Sequence, residues 1–135
     1  MSYKSLGKKT YAPEIRRWAN LSFKENESDL QRMAAHDLTE ASWELFMNEK
    51  GELKERHHLG DVGEVSWNRR PSGFIPIASV HNHVWGGSEP TDQDREAGQA
   101  MADVYGVEYH LFVVGGSGDS KGLEMTEHVF YPSKK

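Results

Sequence analysis

The apolar positions of this chain follow two periods. From Trp43 to Met47 they run almost unbroken, a turn follows at Asn48-Glu49-Lys50-Gly51, and Glu52 to Leu59 alternates in part, which predicts a β-hairpin. Ile75, Ile77, Ala78 and Val80 make another apolar run. Val107 to Val114 is strongly apolar and is bounded by Gly115-Gly116-Ser117-Gly118, and Leu123 to Tyr131 completes the predicted strands. Helical spacing appears elsewhere. Pro13 to Ala19 predicts a short helix, with Ile15 and Trp18 on one face. A second helix is predicted from Ser28, where Ser28 and Gln31 form a capping-box pattern and Leu30, Met33, Ala34 and Leu38 recur at helical intervals, ending between Thr39 and Ser42. A third spans Asp92 to Tyr105, with Ala97, Met101 and Val104 as its inner stripe and Gly106 as its stop. Val65 to Trp67 reads as a short strand, and Asn68-Arg69-Arg70-Pro71-Ser72-Gly73 as a polar loop suited to substrate contacts. Residues 1–12 show little periodicity and read as a tail. This order of elements predicts an α/β fold, a mixed twisted sheet flanked by helices.

Composition narrows the picture. A chain of 135 residues with 36% hydrophobic content fits one domain, residues 1–135, around a single core. No stretch approaches the roughly 18 to 20 apolar residues of a membrane span, and Met1-Ser2-Tyr3-Lys4 lacks the apolar centre of a signal peptide, so the expectation is a soluble cytoplasmic protein without a membrane partner. The formal charge of −5 gives no overall attraction to nucleic acid. Lys4, Lys8, Lys9, Arg16 and Arg17 are a local basic set, read as a solvated terminal segment. The absence of cysteine excludes disulfides and thiol catalysis, and it leaves any metal to histidine and carboxylate ligands.

Such ligands stand together in His81-Asn82-His83-Val84-Trp85-Gly86-Gly87-Ser88-Glu89-Pro90-Thr91-Asp92-Gln93-Asp94. On a strand, His81 and His83 leave the same face, and Asp94 lies in the first turn of the helix that Pro90, Thr91 and Asp92 announce. Two imidazoles and one carboxylate suit a single Zn²⁺ per chain with its fourth position open to water, the arrangement of a catalytic site. His36 has no partner at ligand spacing, and His57, His58, His110 and His128 read as surface or sheet residues. Asp92 reads as a helix cap or an acceptor behind the ligands, and Trp85 as either a wall of the substrate groove or a packing residue.

His81-x-His83, Thr91 and Asp94 resemble the signature of the JAMM (JAB/MPN+) metalloproteases: H-x-H-P, about seven residues, then S-x-x-D. The resemblance covers roughly residues 39 to 131. Val84 stands where the family usually has proline, and Thr91 where it usually has serine but with the hydroxyl retained. The resemblance implies a deaminase-like sandwich and a compact zinc metallopeptidase that hydrolyses a peptide or isopeptide bond of a protein or peptide substrate, a ubiquitin-like modifier among the candidates. It also implies Glu44 as the base, because the family keeps a glutamate on the first strand after the opening helix; Glu40 and Glu64 are the fallbacks. Independently, a carboxylate between Trp43 and Leu45 is costly to bury without a task or partner. Thr91 takes the place of the family serine that donates to the developing oxyanion, with Ser88 as the alternative. H-N-H followed by a glycine loop is similar to the RadC branch. Two other functions remain open at this point: a catalytically silent MPN-type interaction module, whose known examples normally lack a ligand, and a RadC-like DNA-associated factor, favoured by Arg69-Arg70 and opposed by the net charge.

Overall fold

The computed structural model describes residues 11–32, 41–59, 71–116 and 122–133. Its elements are helix α1 (Ala12–Arg32), strands β1 (Ala41–Met47), β2 (Leu53–Leu59) and β3 (Ile75–Gly87), helix α2 (Asp92–Tyr105), and strands β4 (Tyr109–Gly116) and β5 (Leu123–Phe130). The five strands form one mixed sheet in the order β2-β1-β3-β4-β5. β3 and β4 are parallel, joined by α2, and every other pair is antiparallel. An α/β protein with a mixed sheet and flanking helices is therefore what the chain forms.

The order follows from the sequence. β4 is buried from Tyr109 to Gly115 and β3 carries Ile75, Ile77, Ala78 and Val80 inside, which suits strands covered on both faces. β2, Leu-Lys-Glu-Arg-His-His-Leu, lies at an edge, where charge discourages pairing with another chain. The sheet divides the core. On one side Ile15, Ala19 and Leu30 of α1 meet Trp43, Leu45, Ala78, Val80, Phe112 and Val114. On the other, Met101 and Ala102 of α2 meet Tyr109, Leu111 and Val113. Full burial of a valine, leucine or phenylalanine side chain contributes about 1.5–3 kcal/mol, so both helices are held chiefly by these faces.

Several expectations are corrected. Pro13 and Ser28 belong to one helix, not two: residues 20–27 contain neither glycine nor proline to stop it, and Ser28 is interior. Ser28 therefore does not start a helix, and Met33 to Leu38 lie outside the described residues. So do Glu40, Val65 to Trp67, Arg69-Arg70, His36 and Glu64. Tyr11 and Ala12 are no tail, since Tyr11 packs against the core and its carbonyl accepts from the Ile15 amide at 2.9 Å. β3 does not end at the histidines but continues to Gly87, and Gly115 and Gly116 extend β4. The inner face of α2 is Gly98, Met101 and Ala102, while Val104 is 64% exposed. Gly106 does end α2, at φ 65°, with its amide bonded to the Ala102 carbonyl at 2.8 Å.

Candidate metal centre

Alternation along β3 sends Ser79, His81 and His83 to the α2 side of the sheet and Ala78, Val80 and Asn82 to the α1 side. Asn82 is buried, and its Oδ1 accepts the Ala41 amide at 2.6 Å, which fastens the start of β1 to β3 between the two histidines. The α2 N-terminus supplies the third group. Thr91 is its N-cap in a capping box: Thr91 Oγ1 accepts the Asp94 amide at 3.1 Å, and the Thr91 amide donates to Asp94 Oδ2 at 2.9 Å. The cap is thus Thr91, and Asp92, expected as a cap or acceptor, occupies the exposed first helical position.

His81, His83 and Asp94 are brought together. His81 Nε2 lies 3.3 Å from His83 Nε2, His83 Nε2 lies 3.0 Å from Asp94 Oδ2, and His81 Nε2 lies 3.4 Å from Asp94 Oδ1. A tetrahedral zinc with bonds of about 2.0–2.2 Å sets its ligand atoms roughly 3.3–3.6 Å apart, so the two imidazole nitrogens and the carboxylate are compatible with such an ion. His83 Nδ1 faces the Gly87 carbonyl at 3.2 Å; a carbonyl only accepts, so Nδ1 carries the hydrogen and Nε2 presents its lone pair. Burial works against the charge of Asp94, but hydrogen bonds from His81 and the Thr91 amide, with the field of His81, hold its carboxyl well below the usual range. The group is a possible metal-binding cluster of two imidazoles and one carboxylate.

Glu44 reaches the same face from β1. Ser42 pairs with His81 and Glu44 with Ser79, so Glu44 stands one row from the ligands, within a diagonal separation of about 7–8 Å between backbones. Tyr109 donates to Ser79 Oγ at 2.8 Å, and its phenol is pushed up by burial and by the nearby Glu44 carboxylate, against the pull of the Ser79 bond. Glu44, Ser79 and Tyr109 are a polar row beside the histidines. Ser88, the alternative oxyanion donor, is buried and gives its hydroxyl to Glu124 Oε1 at 3.0 Å. Thr91 remains exposed at the helix start. The Trp85 side chain lies outside the described residues.

Among the described residues, His57, His110 and His128 are not part of the cluster. His110 is buried on the α1 side between Glu108 Oε2 at 2.6 Å and Glu127 Oε2 at 2.8 Å, and His57 stacks on Trp43 at 4.7 Å. His128 Nε2 meets Thr126 Oγ1 at 2.9 Å. Sequence reasoning missed Asn82, the Gly87 carbonyl and the capping box. The last was legible as Thr-x-x-Asp; the first two depend on contacts that no local pattern encodes. No family model matches the chain, and neither a curated protein nor a solved structure matches it.

Proposed function

We propose that the chain is a zinc metallopeptidase of the JAMM type, built on a JAB/MPN-like sandwich, that hydrolyses a peptide or isopeptide bond in a protein substrate such as one carrying a ubiquitin-like modifier. The observation that carries this reading is the convergence of His81 Nε2, His83 Nε2 and the two Asp94 carboxylate oxygens, with nearest separations of 3.0 to 3.4 Å, on a strand whose neighbour presents Glu44 on the same face. The JAMM-like spacing of His81, His83, Thr91 and Asp94 in the sequence adds the reaction class.

His81, His83 and Asp94 would hold the ion, which would supply Lewis-acid polarisation of the scissile carbonyl and a more acidic water. Glu44 would accept the proton of the attacking water and pass it to the leaving amine. Thr91 accepts the Asp94 amide through the lone pair of its hydroxyl, so the hydroxyl hydrogen is left to donate to the carbonyl oxygen as negative charge develops there. The capping box ties that donor to the ligand, since one turn of chain fixes both.

The test is hydrolysis of a panel of modifier fusions and isopeptide-linked peptides by the zinc-loaded protein and by Glu44→Gln. Glu44→Gln keeps the side chain's size yet accepts no proton, and its rate should fall by about 10² or more with zinc content unchanged. Full activity in this variant removes Glu44 from the mechanism, and loss of metal with activity makes it a ligand.

A further inference from the structure

Between Asn82 and Gly87 the pairing of β3 with β4 slips: Asn82 is opposite Val114 and Gly87 opposite Gly116, so five steps along β3 are set against two along β4. The surplus backbone leaves the ladder as a bulge and returns over Gly115. A Cβ on Gly115 would stand 2.3 Å from the carbonyl carbon and oxygen of Gly87 and 2.5 Å from the Ser88 nitrogen. These are backbone atoms and cannot step aside as a flexible side chain would. The same Gly87 carbonyl holds the hydrogen of His83 Nδ1, at 3.2 Å, near the outer limit of such a bond. From the far side Thr126 Oγ1 donates to the Ser88 carbonyl at 2.7 Å, which fixes the next peptide.

We propose that Gly115, which supplies no ligand atom, is a positioning residue of the metal centre. Its missing side chain lets the 83–87 bulge settle on β4 far enough for the Gly87 carbonyl to set the His83 tautomer and aim Nε2 at the ion, with Thr126 as the clamp. This inference rests on the reading of His81, His83 and Asp94 as metal ligands. Restoring an ordinary 3.4 Å contact at Gly115 requires Gly87 to shift by about 1 Å, a large change for a bond to Nδ1 that is already 3.2 Å long.

The experiment titrates the purified full chain with Co²⁺, read by its ligand-field absorption, and with Zn²⁺ in competition with a chromophoric chelator, for the wild type, Gly115→Ala, Thr126→Val and Gly106→Ala. Outer-sphere partners of a metal-bound histidine typically contribute 10–100-fold in affinity, so Gly115→Ala should bind about tenfold or more weakly, with a changed cobalt spectrum, and Thr126→Val should shift in the same direction. Gly106→Ala strains the far end of α2, where φ is +65°, and should lower stability while keeping wild-type affinity and spectrum. Wild-type affinity and spectrum in both Gly115→Ala and Thr126→Val overturn the positioning role alone, as does an equal loss in Gly106→Ala. Should Gly115→Ala fail to fold, Thr126→Val decides. A wild type that takes up neither ion overturns the metal-centre reading itself.

Discussion

Asn82 stands between the two histidines and points the other way. Its amide oxygen satisfies the buried Ala41 amide at 2.6 Å, so a residue that looks like a spacer in H-x-H joins two strands. Asn82→Ala should leave that N–H without a partner and cost about 1–3 kcal/mol, read as a lower urea midpoint at unchanged slope. An unchanged midpoint would mean that water reaches Ala41. The histidines were legible because strand alternation alone puts i and i+2 on one face. Asn82's partner was not, because 41 residues separate the two groups and only the β1–β3 register brings them together. Glu44 lies between these cases: its place on the face of His81 follows from that same register, while the proton-transfer role proposed for it comes from the resemblance.

At the scale of elements, α2 begins where its first turn is needed to aim Asp94. Thr91→Ala therefore removes two things at once, the cap and the hydroxyl near the ligands, and should cost about 1 kcal/mol of stability as well as activity. Thr91→Ser keeps both the acceptor and the donor. If the hydroxyl serves catalysis, thermal melts and turnover together should show Thr91→Ser near wild type, and Thr91→Ala slowed by more than its stability loss explains; equal turnover in both variants contradicts the oxyanion role. The α2 boundaries were legible from Thr91 to Gly106, since both ends carry local chemistry. α1 was not. Its inner face runs Ile15, Ala19, Ser22, Asn26, Leu30, and the two polar members interrupt the apolar stripe. Ser22 faces Glu55 at 3.5 Å and Asn26 bonds the Ser22 carbonyl at 2.7 Å, contacts that make polar residues acceptable there.

For the molecule as a whole, α1 is fastened to the sheet by charge as well as by packing. Arg16 Nε meets Glu127 Oε1 at 2.9 Å, and the other Glu127 oxygen meets His110, whose second nitrogen faces Glu108. Burial opposes the Glu127 charge, yet hydrogen bonds from His110 and Arg16 hold its carboxyl below the usual range. A carboxyl depressed on folding contributes stability above its unfolded value, about 4.3, and the contribution is lost as pH falls through the folded value. Melting temperature should thus drop in acid, and Glu127→Gln should flatten that drop below about pH 4.3 while lowering stability near neutrality. A parallel pH curve in the variant contradicts this role.

This sheet and α2 together bring His83 and Asp94, eleven apart in sequence, and His81 beside them into a cluster compatible with a metal ion, and the proposed function makes that ion zinc. Elemental analysis of metal-replete, gel-filtered protein measures that directly. About one zinc per chain is expected in the wild type, and near none in His83→Ala with the fold retained. A wild type that emerges without zinc, or a His83→Ala that carries as much as the wild type, would contradict it.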